Sequence, residues 1–332
     1  MSKESEPLKP LRTWSHLADR RRRPSEYEIV STNLMYNATQ AESPFELGPN
    51  IPLSAWFKRY RHASPLRGCD WEAFRDPDEM TYRAYNAVQD QQETYVEGLL
   101  DQHNERHYDA GLDPAWVDVL ARLYSPARYV FHTVQMASHY LVQIVPSSTI
   151  RNCALYQAAD AMRCVSHLAY RTAELRQTYP DRGFGSAERQ RWENDAAWQG
   201  FRRLMERVLV AYDWGESFVA LNLVAKPALD EAVVRQLAET ARAHGDSLLG
   251  LIADSEYRDV QRSRTWSTAL VRFAAQQSDN IAVMRGWVEK WLGPAEQAIE
   301  VYCRALPDSP QAADTARGAL HAFVSGLEIG LS

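Results

Sequence analysis

A chain of 332 residues, 45% of them hydrophobic, can bury a large core, as one big domain or two ordinary ones. Its net charge of −6 leaves no footprint for a nucleic acid, and apolar runs such as Leu248–Ala253 fall far short of the ~20 residues a membrane span needs. Fifteen glycines are few for a turn-rich β protein, whereas ten tryptophans and sixteen tyrosines imply much aromatic surface to cover. The cysteines Cys69, Cys153, Cys164 and Cys303 are scattered, with no Cys-x-x-Cys, and read as free thiols in a reducing compartment. The polar N-terminus lacks the apolar segment of a signal peptide, so a cytoplasmic location is expected.

Residues 1–60 hold Pro7, Pro10, Pro24, Pro44, Pro49 and Pro52 and show no sustained helical period, which predicts a long extended arm ahead of a helical domain over 61–332. Aromatic residues run through this arm, and an irregular segment so loaded lies on something. Trp14, His16, Tyr27, Tyr36 and Trp56 are its candidates for contact with a neighbouring subunit. The basic run Arg20–Arg23 reads as a solvated or acid-paired turn, given the acidic whole.

From Asp76 the pattern turns helical. Asp76-Pro77, Asp113-Pro114 and Ser125-Pro126 each read as a cap followed by a first-turn proline, and the third helix stops before Pro146. The next, over 152–175, is apolar nearly all round, with Asp160, Arg163, His167, Arg171 and Glu174 crowded into one arc. Further helices are predicted over 198–225, ending near Pro227, then 227–244, 246–277, 279–303 and 310–330, with Asp246 as an N-cap after Gly245. No strand and no short repeat is evident. The fold class is all-α.

Several motifs that look like chemistry do not close. His103 and His107 have metal-clamp spacing, but Asn104 stands where a zinc protease needs glutamate. Gly245-Asp246-Ser247-Leu248 imitates an esterase signature without the strand-turn-helix context or a downstream Asp-x-x-His. Gly183-x-Gly185 lacks a third glycine and a preceding strand. A carboxylate-bridged di-metal bundle needs glutamates on two helices and Glu-x-x-His on two more. No glutamate here has histidine three residues on, and Val119 to Ala159 contains no acid at all. Glu256 and Asp259 lie on the apolar face of their helix and are expected to pair with buried arginines instead of binding metal.

The stretches LKPLRTWSHL (8–17), DPDEMTYRAYNAVQDQQETYVEGLLDQ (76–102), SPARYVFH (125–132), WENDAAWQGFRRLMER (192–207) and DWGESFVALNLVAKP (213–227) resemble the β subunit of the hydroxylase of bacterial multicomponent monooxygenases, in the branch that oxidises toluene, alkenes and isoprene. The resemblance covers about Leu8 to Tyr302. It implies a ferritin-like helical bundle related to a catalytic α subunit, whose di-iron helices carry Asp-Glu-x-Arg-His. On this chain the first such motif falls on Asp160–Cys164, with Ala161 in place of glutamate and Cys164 in place of histidine. The second falls on Ser255–Asp259, keeping Glu256 but with Asp259 in place of histidine. The glutamate of the preceding helix falls near Phe131, and Glu216 is the nearest candidate for the fourth.

The expectation is a non-catalytic subunit of an (αβγ)2 hydroxylase, without metal or cofactor of its own. The resemblance implies as partners the α subunit with its di-iron centre, a γ subunit, a second protomer, an effector protein, a Rieske [2Fe-2S] ferredoxin and a flavin reductase using NADH and FAD. Arg163, Arg258, Glu256 and Asp259 would form structural pairs in the vacated cavity. The competing readings are a catalytic chain with an unusual metal site around Glu216, Glu256, Asp259 and His167, and a β subunit of the phenol hydroxylase type.

Overall fold

A computed structural model describes Leu17, residues 23–34 and residues 52–330, and every regular element among them is helical. Two short helices lie where an extended arm is expected. In α1 (Glu26–Ser31) the Ser25 hydroxyl accepts from the Glu28 N–H while the Glu28 carboxylate accepts from the Ser25 N–H, a reciprocal cap. α2 (Pro52–Phe57) opens on a proline and runs on into a π-helical turn, Lys58–His62. Six-residue helices are too short to show a hydrophobic period, so only their caps could have revealed them.

Two of the aromatics expected at a subunit interface make contacts within their own chain. Tyr27 is buried, its hydroxyl accepting the Asp76 N–H at 3.0 Å. Trp56 lies tilted against Tyr60 and edge-on to Tyr212 and donates its indole N–H to the Tyr140 hydroxyl at 3.0 Å. Trp14, His16 and Tyr36 lie outside the described residues.

α3 (Tyr82–Glu105) begins at the Thr81 cap, later than Asp76-Pro77 suggests. The Asp76 carboxylate instead closes a turn by accepting from Asp78 and Met80, and Glu79, at φ 44°, interrupts any helix there. α4 (Pro114–Val119), α5 (Ala127–Ile144) and α6 (Ser148–Thr178) follow. Ser147 caps α6, which extends the expected 152–175 at both ends. α7 (Glu188–Asn194) and α8 (Ala196–Val208) meet at Asp195.

The main departure comes next. The chain breaks after α8, and Asp213 caps a new helix by accepting from the Gly215 and Glu216 N–H groups. That helix runs unbroken over 214–243: α9 (Trp214–Phe218), a π turn at Val219–Ala225, α10 (Lys226–Leu229), a second π turn at Asp230–Gln236, and α11 (Leu237–Ala243). Pro227 does not end it. A π turn just ahead of the proline widens the backbone and gives its ring room that an α turn denies. α12 (Ser247–Ala274) begins at the expected cap Asp246, after Gly245 at φ 80°, and α13 (Ser278–Cys303) and α14 (Ala312–Ser325) complete the fold.

α5, α6, the 214–243 helix and α12 form the central bundle, with α3 laid against α12 and with α8, α13 and α14 covering the opposite side. Nearly all of the 214–243 helix is buried, which suits its run of Val, Ala and Leu. α8 packs tightly on α13 at Gly200, where a Cβ would sit 2.7 Å from the Ala298 Cα. Because backbone is the obstacle, Gly200→Ala is expected to cost about 1–3 kcal/mol in urea unfolding. An unchanged midpoint would show that the two helices part freely.

Candidate functional site

The four bundle helices converge on a small cavity of about 20 Å³, room for about one water. α5 lines it with Phe131 and Val134, and α6 with Asp160, Ala161 and Cys164. The 214–243 helix contributes Lys226 and Asp230, and α12 contributes Glu256 and Asp259. Four of the positions that the resemblance assigns to metal ligands therefore do meet: Ala161, Cys164, Glu256 and Asp259, with Phe131 from the fifth. Glu216 does not belong among them. It accepts from Lys290 Nζ and from the Trp291 indole N–H, and Asp230 is the carboxylate that the fourth helix brings in.

The residues present do not fit a di-iron centre. A phenyl ring and a methyl group stand at two of the ligand positions, and burial pushes the Cys164 thiol well above its usual pKa, away from the thiolate a metal needs. Asp230 is already bound by Lys226, whose Nζ lies 3.0 and 2.8 Å from its two oxygens. Among the described residues no group of three or more His, Cys, Asp or Glu side chains could hold a metal ion.

Protein cations gather where metal ligands would be expected. Arg262 donates to Asp160 at 2.6 Å and to Asp259 at 2.9 Å. Arg163 donates to Asp259 at 2.6 Å and to Glu93 of α3 at 2.5 Å. α3 also closes the site with Tyr85, which donates to Asp160 at 2.8 Å, and with Gln89, which bridges Asp160 and Asp259. His167 sits between Glu93 and Glu256 at 3.1 and 3.4 Å. Arg258, expected as a buried partner, is exposed. It precedes Asp259 by one residue and so points about 100° away, whereas Arg262, three residues on, shares the Asp259 face.

Charge and burial set the protonation of this network. Burial, then the neighbouring Asp259, raises the Asp160 pKa to about 6, against the pull of Arg262. Burial works against the His167 imidazolium, but hydrogen bonding and charge from Glu256 and Glu93 outweigh it, so its pKa rises. Burial alone would raise Glu93, but the Arg163 hydrogen bond and His167 bring it below its usual value. A raised histidine contributes stability that is complete below its unfolded pKa of 6.5 and lost as pH climbs through the folded value. His167→Gln is therefore expected to be most destabilising below about pH 6.5 and to lose that extra cost as pH rises above it in urea unfolding. A gap that stays constant over that range would mean His167 is neutral in the folded protein.

The other motifs resolve as structure. α3 ends before His107, which takes a left-handed φ of 50°, so the two histidines do not share a helix face. Ser247 opens α12 and donates its backbone N–H to the Tyr108 hydroxyl. Gly183 and Gly185 take left-handed turns, and the Gly185 N–H donates to Glu188. The four cysteines are free thiols. Sequence reasoning missed Glu93, Lys226, Asp230 and Arg262. Only the i, i+4 spacing of Lys226 and Asp230, and the i, i+3 spacing of Asp259 and Arg262, could have signalled any of them.

Residues 56–278 match the family model described as methane/phenol/alkene hydroxylase. The chain is 50% identical over 306 residues to the hydroxylase component subunit beta of the toluene-4-monooxygenase system of Ectopseudomonas mendocina, covering 92% of this chain and 93% of that one. It is 23% identical to the hydroxylase component small subunit of propane 2-monooxygenase from Mycolicibacterium smegmatis, covering 86% and 78%. A chain of toluene 4-monooxygenase, solved with toluene bound in its resting active site, superposes with a TM-score of 0.85 at 50% identity, over 91% of this chain and 99% of that one. A chain of phenol hydroxylase from Pseudomonas sp. OX1 shares the fold, with a TM-score of 0.83 at 18% identity over 99% and 98%. The bundle is ferritin-like, as the resemblance implies. By its matched span and its half-identity to a hydroxylase β subunit, this chain belongs to the methane, phenol and alkene hydroxylase family.

Proposed function

We propose that this chain is the non-catalytic β subunit of a toluene 4-monooxygenase-like hydroxylase. One observation carries the reading: where four bundle helices converge, Lys226, Arg163 and Arg262 bind Asp230, Asp259 and Asp160, in a chain half identical to a β subunit. Iron would then reside in a catalytic α subunit, within an assembly that also holds a γ subunit and a second protomer. An effector protein and a Rieske ferredoxin would act on that assembly, and NADH and FAD would belong to the reductase. The whole complex would hydroxylate or epoxidise a small hydrocarbon with O2 and NADH, and the α subunit would select the substrate. The charged network would hold the β bundle rigid against its partner, work that needs no reactive group.

Iron analysis tests this. The separately purified chain is expected to carry no stoichiometric iron, while the assembled hydroxylase does. Two tightly bound irons per isolated chain would overturn the reading and favour a metal site of this chain's own.

A further inference from the structure

α3 is held to the bundle by a narrow stripe. Five of its 24 residues are buried, Tyr85, Gln89, Gln92, Val96 and Leu100, whereas α12 buries half of its length. The five recur every three or four residues and so mark one face of the helix. The main apolar core contains no residue of α3. Val96 and Leu100 pack instead on Leu248 and Ile252 of α12 in a small cluster of their own, with Leu99 and Tyr108 beside it.

Polar contacts hold the other half of the stripe. Tyr85, Gln89 and Glu93 reach Asp160, Asp259, Arg163 and His167. Gln92 donates to Asp259 at 3.4 Å and accepts from the Ser255 hydroxyl at 3.2 Å. The Tyr85 ring stacks on Tyr156, with centroids 4.7 Å apart. A polar residue at a seam position fixes the register of a helix at a cost in stability. Two buried atoms of this seam, Gln89 Oε1 and Arg163 Nη2, have no hydrogen-bond partner among the described residues. Each disfavours the closed seam, and water would satisfy both if α3 lifted.

Strained corners bound the helix. Glu79 at φ 44° precedes it and His107 at φ 50° follows it, both left-handed without the freedom of glycine. Hinges are a few element-terminal residues that absorb backbone rotation, and these two stand where α3 would need them. Lifting α3 leaves the bundle its own ties, because Arg163 still holds Asp259 and Arg262 still holds Asp160 between α6 and α12. We propose that α3 is a strap that opens as one unit between Glu79 and His107 while the bundle stays folded, and so admits water to Asp160 and Asp259 at the cavity wall. Opening of α3 goes beyond the β-subunit reading and does not depend on it.

Native-state hydrogen exchange, read by mass spectrometry on the full-length chain as purified, tests the strap, because a helix lifted off its seam keeps little protection in water. Amides of residues 85–100 are expected to exchange at least about 100-fold faster than those of α5 and the 214–243 helix, after correction for intrinsic rates, and with a weaker dependence on urea. Glu93→Ala removes the acceptor shared by Arg163 and His167 and keeps a good helix former. It is expected to speed exchange at residues 85–100 at least about 10-fold, since opening then breaks fewer contacts. Glu93→Gln, closer in shape, carries the same readout if Glu93→Ala does not fold. Exchange of α3 at the rate and urea dependence of the bundle core would overturn the strap, because α3 would then open only with the whole fold. Fast exchange that neither variant changes would overturn it too, because α3 would then fray with its seam intact.

Discussion

Arg171→Met is expected to remove about 3–5 kcal/mol of stability, the largest loss from a single substitution outside the apolar core. Arg171 and Asp246 are both fully buried, and Arg171 Nη2 lies 2.9 and 2.8 Å from the two Asp246 oxygens. Asp109 adds a third acceptor at 3.3 Å, and the guanidinium lies over the Tyr124 ring. Asp246 also accepts from the Trp116 indole N–H and caps α12 through the Leu249 N–H, so one carboxylate joins α4, α6 and α12. Removing the guanidinium strands a fully buried carboxylate, and the desolvation penalty then falls on the folded state. Asp246→Asn in the same background keeps an acceptor for the cap and removes the stranded charge. The double variant is therefore expected to recover most of the loss in urea unfolding. A single-variant cost below about 1 kcal/mol would show that water reaches the pair.

What was legible in the sequence follows the range of each signal. α6 and α12 announce themselves because their apolar residues repeat over many turns, and Asp246 because a cap acts on the next three residues. The unbroken 214–243 helix was not legible. Proline ordinarily ends a helix, and here a π turn just ahead of Pro227 accommodates it inside a helix that is buried nearly throughout. The site was half legible for a related reason. A motif frame places Ala161, Cys164, Glu256 and Asp259 on inward faces, because inward faces follow from helical phase. Which cation reaches Asp259 depends on which helix packs there, and α3, with Glu93, Tyr85 and Gln89, joins the site only through tertiary packing. Glu216 has the residue type of the pattern but turns to Lys290 and Trp291, whereas Asp230, in an apolar run beside its own lysine, carries no ligand spacing.

Ala161→Glu/Cys164→His is expected to destabilise the bundle by more than about 3 kcal/mol without recruiting iron. Ala161 is 4% exposed and faces a cavity of about 20 Å³, too small for a glutamate side chain. The added carboxylate would enter beside Asp160, Glu256 and Asp259, where Arg163 and Arg262 are already committed to existing partners. Its charge would be uncompensated unless a metal arrived, and a metal would still face the Phe131 ring and the Lys226 ammonium. A cation fixed beside Asp230 repels an incoming dication, so restoring two ligands does not restore a site. The unfolding midpoint of the double variant should therefore not rise when ferrous iron is added. An iron-dependent rise would show that Lys226 swings aside. Lys226→Ala in the same background separates the two obstacles: any gain in iron binding there belongs to the ammonium, and a continued absence belongs to Phe131, which still denies the metal a carboxylate from α5.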